Sequence, residues 1–170
     1  TALMRSYWSR GVAPFEQVLA RLDEAQELAT GLGDLEFQAE TMQWRVAALM
    51  ALGRFDDASR ELAISHELAD RTRQPFMLHV AEHYASTLAL LQGRLEEAEA
   101  AAQRSRDWGQ LLTGRDASGI HGIQMFSIRR EQGRLSEFAP VIRMLVADED
   151  DGAWRPGLAA VLAELGMHDV

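Results

Sequence analysis

Cysteine and lysine are both missing from this 170-residue chain. Without cysteine there can be no disulfide, thiolate zinc site or thiol nucleophile, and a reducing cytoplasm is the expected compartment. Without lysine there is no Walker A phosphate loop and no Schiff-base chemistry. All 17 bases are therefore arginine, set against 26 acids for a formal charge of −9. That balance argues against a broad nucleic-acid surface, which needs a basic field to neutralise phosphate, although Arg129, Arg130 and Arg134 form a local basic spot. Long apolar runs are missing as well, since none approaches the roughly 18 residues that span a bilayer. The start of the chain lacks the charged-then-apolar order of a signal peptide and reads instead as the end of a helix begun upstream, stopped by Gly11 and Pro14. No alternation of polarity lasts long enough to make a strand.

What the chain does have is a repeat. Leu91 to Ala98 reads Leu-Gln-Gly-Arg-Leu-Glu-Glu-Ala, with copies at Leu52 to Ala58 (Leu-Gly-Arg-Phe-Asp-Asp-Ala) and Gln132 to Phe138 (Gln-Gly-Arg-Leu-Ser-Glu-Phe). The interval from Gly53 to Gly93 equals that from Gly93 to Gly133. Weaker copies are read at Ala20 to Ala25 and at Glu164 to His168, each at a somewhat shorter interval from its neighbour. Self-similarity at a period of about 20 to 50 residues signals a solenoid. Each copy fits a helical corner: glycine takes the left-handed conformation that ends one helix, and acids follow in the first turn of the next, where the dipole favours them. Corners are expected near 20–22, 53–55, 93–95, 133–135 and 166–168. Ala25, Ala29, Ala58, Ala98 and Ala102 would allow close helix approach, with Leu28, Leu62 and Ile142 supplying bulk.

Three-and-four spacing of apolar residues extends these corners into helices. Phe15, Val18, Leu19, Leu22, Ala25, Leu28 and Ala29 predict a helix ending near Gly31 and Gly33, and Asp34 can cap its successor, which runs to Leu52. Further helices are expected from Phe55 to about Arg73, Pro75 to Leu91, and Leu95 to about Leu112. After a Thr113 to Asp116 loop, one more ends near Gln132, and others span Leu135 to about Ala147 and Trp154 to Leu165. Gly119 and Gly122 weaken the sixth at about 1 kcal/mol each. The fold class is therefore all-α, a right-handed solenoid of about four hairpins read as one domain over 1–170.

Gly53-Arg54-Phe55-Asp56-Asp57-Ala58 and Gly93-Arg94-Leu95-Glu96-Glu97-Ala98 resemble the Gly-x-Tyr/Phe-x-x-Ala signature of the tetratricopeptide repeat, with Leu62, Ser65, Ala102 and Ser105 at its later packing positions. The repeat here is longer than that family's usual period of about 34 residues, and the family's early Trp and Gly are not in place. With Trp44-Arg45 before Leu52-Gly53, and Gly152-Ala153-Trp154-Arg155 before Leu165-Gly166, the chain is similar to the superhelical sensor region of MalT-like, LuxR-type transcriptional activators and related actinobacterial ATPase or cyclase regulators. That resemblance implies a fragment of a longer cytoplasmic signalling regulator, in which neither the ATPase nor the helix-turn-helix has a counterpart here.

In a solenoid the first helices of successive hairpins line one surface. At one shared register position before the glycines stand Trp44, Tyr84 and Gln124, flanked by Arg45 and His83, and these five are the candidate binding residues. Trp, Tyr and Arg often anchor binding surfaces, while aromatics at helical spacing also often pack as core. His79 and His83 share a face, with His121 one hairpin on, yet they lack the glutamate and cysteine partners of a metal signature, so no metal or cofactor is expected. The acidic run Asp148 to Asp151 lacks a calcium-loop pattern. Ser65 and Ser105 recur at repeat spacing as packing positions, and no Gly-x-Ser-x-Gly elbow exists, so no enzyme is expected. The expected function is capture of a protein partner or small effector, without direct nucleic-acid or membrane contact. The alternative is a scaffold or homo-oligomerisation module, with a homodimer as its simplest form.

Overall fold

A computed structural model describes residues 13–112, 117–137, 140 and 155–166. Every regular element among them is helical: α1 (Phe15–Leu32), α2 (Leu35–Ala51), α3 (Phe55–Thr72), α4 (Pro75–Leu91), α5 (Leu95–Gly109), α6 (Ala117–Glu131), a 3-10 turn (Leu135–Glu137) and α7 (Arg155–Glu164). The chain divides into two compact units, Thr1–His121 and Gly122–Val170. In the first, each of α1 to α4 packs on its successor, and α2 also packs on α4, as a repeat array requires. In the second, Ile128, Leu135 and Val161 are buried, and Arg130 Nε lies 2.6 Å from Glu164 Oε1.

The corners form as the glycines dictate. Gly33, Gly53, Gly93, Gly133 and Gly166 all have positive φ, between +67° and +74°. At the central pair, the Gly53 N–H donates to the Met50 carbonyl (3.0 Å) and the Arg54 N–H to Leu49 (2.9 Å); Gly93 and Arg94 repeat this on Leu90 and Ala89. Both bonds satisfy carbonyls that a helix end would otherwise leave orphaned. Asp34 caps α2 as its position suggests, its Oδ1 accepting from the Phe37 N–H at 3.0 Å.

The expected corner at 20–22 is absent, because those residues lie in mid-helix within α1. They have no glycine to break the helix. The true register mate of Phe55 and Leu95 is Phe15, one full period before Phe55, with Pro14 preceding it. Three of the expected apolar positions also miss the core: Phe15 is 38%, Leu28 56% and Leu91 52% exposed. The expected helix from Leu135 opens as a 3-10 turn, and its continuation lies outside the described residues. So do the start of the chain up to residue 12, the 113–116 loop, Ile142 and the acidic run at 148–151.

Small residues set the helix spacing. Ala39, Ala58, Ala69, Ala81, Ala98 and Ala102 have no exposed surface at all. Around the Gly53 corner, Val18, Leu19 and Leu22 of α1 meet Val46 and Leu49 of α2, with Leu62 and Leu88 alongside. At the opposite helix ends a second cluster joins Ala39 and Met42 to Leu68, Met77 and Leu78, and Trp108 packs against it.

One corner breaks the glycine rule. Arg73, the register mate of Gly33, sits at φ 54°. A left-handed non-glycine costs roughly 1–2 kcal/mol, partly offset by the more restricted unfolded chain. Urea unfolding should therefore find Arg73→Gly more stable by about 0.5–1 kcal/mol and Gly93→Ala less stable by about 1 kcal/mol. A destabilising Arg73→Gly, or a Gly93→Ala without effect, would show that backbone strain does not govern the corners.

Candidate functional site

On α4, Phe76, Val80, His83 and Tyr84 fall three and four residues apart and so share one face. Glu40, Gln43 and Trp44 do the same on α2. Since α2 packs on α4, the two faces meet, and with His79, Leu112 and Ile120 they enclose a cavity of about 230 Å³. Two hydrogen bonds brace its wall. The buried Gln43 donates its Nε2–H to the Met77 carbonyl at 3.0 Å, tying α2 to α4. The buried His79 places Nδ1 2.8 Å from the Ser105 carbonyl, so that nitrogen carries the proton, while the Ser105 hydroxyl donates to the His79 carbonyl at 3.0 Å.

His83 is different. Its Nδ1 is buried and has no hydrogen-bond partner among the described residues. Burial, reinforced by the neighbouring His79, pushes its imidazole pKa down, which keeps the ring uncharged at neutral pH. Its ring centroid lies 5.5 Å from that of Tyr84, the planes tilted by 54°.

Of the five residues singled out in the sequence, the structure brings Trp44, His83 and Tyr84 together around one cavity. Trp44 and Tyr84 also pack against the core, so both serve as wall and as support. Arg45 does not join them. It faces α1 and α3, where Glu61 takes it in two hydrogen bonds (Nε to Oε2 2.8 Å, NH2 to Oε1 2.6 Å) and Asp23 pairs with it as well. Adjacent positions on a helix diverge by about 100°, so Arg45 cannot follow Trp44 into the cavity. Gln124 is buried within the second unit. Glu40, Phe76, Val80, Leu112 and Ile120 also line the cavity, and register with the glycines did not single them out. The first three were within reach of helical spacing: Glu40 and Val80 stand one turn before Trp44 and Tyr84, on the same helix faces.

His121 directs Nδ1 to the Ala102 carbonyl at 3.3 Å, and no group of three potential ligands occurs among the described residues. A separate polar cluster joins α3, α4 and α5: His66 Nε2 lies 3.6 Å from Glu82 Oε1, and Arg104 NH2 2.9 Å from Glu82 Oε2. Hydrogen bonding of the His66 ring to the Glu82 carboxylate, together with that of His66 Nδ1 to the Leu62 carbonyl, raises the His66 pKa because both ring nitrogens then face acceptors. Burial alone would raise the Glu82 pKa, but hydrogen bonds from His66 and Arg104 outweigh it and hold the carboxyl below its usual value.

Two consequences can be measured. Ser65 and Ser105 are register mates with no exposed surface, but Ala39 stands where His79 partners Ser105, and the Ser65 hydroxyl has no partner. Ser105→Ala should cost about 1–2 kcal/mol in denaturant unfolding, whereas Ser65→Ala should be neutral or stabilising, since it removes an unsatisfied buried group. Second, His66 stabilises fully below its ordinary pKa and loses that contribution as pH rises through the raised folded value; Glu82 contributes above the usual carboxylate range and loses it on acidification. The gap in Tm between the parent chain and Glu82→Gln should thus be widest at about pH 5–6.5 and narrow towards pH 9, leaving the Arg104 share. A gap flat across that interval would show the two groups to be uncoupled. No protein-family model matches this chain, and no curated protein matches it either.

Proposed function

We propose that this chain is a non-catalytic helical-repeat module that binds a small effector in the α2–α4 cavity. The observation that carries the reading is the buried Nδ1 of His83, unpartnered among the described residues, in a mainly aromatic and aliphatic wall. Apolar walls with a few convergent polar groups are the usual make-up of a ligand site, the apolar part giving affinity and the polar part orientation. A buried ring nitrogen without a partner costs stability, and a ligand group that reaches it recovers that cost only when bound. The cavity exceeds the roughly 150 Å³ that admits benzene in an engineered protein core, so a small ring fits whole.

Placed on neighbouring repeats, such a site couples ligand to scaffold. An occupant touching α2 and α4 at once would hold two hairpins in one relative position, and a chain fused to either end would feel that choice. The resemblance to sensor regions of MalT-like, LuxR-type regulators supports a role in signal transduction and transcription control, with other domains of a parent protein as the output.

Indole is a suitable first probe. At roughly 0.5 kcal/mol per heavy atom its Kd falls at about 1 mM. Titration followed by ¹⁵N chemical shifts should move the amides of Trp44, Phe76, Val80 and Tyr84 in the parent chain, and Val80→Trp, which fills the cavity, should abolish the response. Shifts confined to the Arg45 face, or none, would refute the assignment.

A further inference from the structure

We propose that the α2–α4 cavity is selective for a small organic cation carrying a quaternary or alkylated ammonium group. This rests on the cavity being the effector site. Three aromatic residues, Trp44, Phe76 and Tyr84, line it. The faces of such rings carry the negative part of their quadrupole and attract cations, most strongly where water is displaced. The one charged side chain among the described lining residues is the carboxylate of Glu40, which is half-buried and makes no hydrogen bond or ion pair among the described residues.

Charge elsewhere points the same way. No described arginine borders the cavity, and the chain has no lysine to fold in as an internal counter-ion. The net charge of −9 adds a weak attraction for cations over the whole surface. The uncharged state of His83 keeps repulsion out of the cavity, and its buried Nδ1 can exchange a hydrogen bond with a hydroxyl or amine on the ligand. Among the described lining residues an anion would meet a carboxylate and no cation. A neutral hydrocarbon would leave Glu40 half-desolvated without return. The volume of about 230 Å³ suits a whole small molecule.

The test uses two probes that differ only in one atom: choline and 3,3-dimethylbutan-1-ol, in which carbon replaces the ammonium nitrogen. Both are titrated into the full chain at matched ionic strength and followed by ¹⁵N shifts of the α2 and α4 amides and the Trp44 indole. Choline should bind about tenfold more tightly than the alcohol, the factor expected for a partly desolvated cation–π site with a carboxylate. Glu40→Gln should lower choline affinity by about five- to tenfold and leave the alcohol unchanged, which also controls for folding. Equal binding of the two probes, or indifference to Glu40→Gln, would overturn the cation assignment while the cavity remains a ligand site. Failure of choline, the alcohol and indole alike would overturn the cavity assignment itself. A trimethyllysine peptide binding more tightly than choline would overturn the choice of a free small molecule over a partner's side chain.

Discussion

A helix that ends on a left-handed residue folds its next two N–H groups back onto its own last carbonyls, and the chain leaves at a fixed angle. In this molecule that geometry recurs at Gly33, Gly53, Gly93 and Gly133, and Gly166 has the same positive φ. After Gly53 and Gly93 only one residue, Arg54 or Arg94, separates the corner from the next helix. The returning helix is thereby held antiparallel beside its partner, in a set rotation. Rotation matters because each residue of slip turns a helix by about 100°. A slip of one would carry Val46 and Leu49 out of the core and bring Arg45 towards it. The alanines depend on the same constraint, since Ala58 and Ala98 are fully buried only because the corner delivers them to the same place in each copy.

Where the copies differ, the structure acquires its individual features. Arg45 and Glu61 form a bidentate pair between α2 and α3, while their mates one period on are Ala85 and Ala101, which line a shallow depression instead. Ser65 and Ser105 occupy one register position, yet only Ser105 meets a histidine. Substitution on a repeated frame thus generates one ion-paired interface, one hydrogen-bonded interface and one open cavity from the same helix geometry. The cavity arises where Phe76, Val80 and His83 of α4 face Glu40 and Trp44 of α2, a combination that occurs once along the described array. His83 stays hydrogen-bond deficient there among the described residues, while its register mate Gln43 donates to the Met77 carbonyl.

Much of the frame was legible beforehand. Glycine spacing located the corners at 53, 93, 133 and 166, and apolar periodicity placed the helices of the first unit to within a turn. The copy at 20–25 misled because its helix-forming residues match the motif while the element that makes the corner, glycine, is missing; the register mate of Phe55 was Phe15. Leu28 and Leu91 misled for a different reason. They continue the periodic stripe towards helix ends, where no described helix covers them.

The sequence by itself determined an all-helical repeat of even period, the corners within it, and two aromatics in equivalent register at Trp44 and Tyr84. These are local properties, written in left-handed backbone preference and in the periodicity of the helical turn. Only the tertiary structure decided that Trp44 and Tyr84 share a wall with Glu40, Phe76 and Val80, that Arg45 turns away to Glu61, and that Ser105 has a partner where Ser65 has none. Each of those outcomes depends on which side chain another helix presents across the contact. Spacing along one helix carries no information about that until the corners have brought the two faces together.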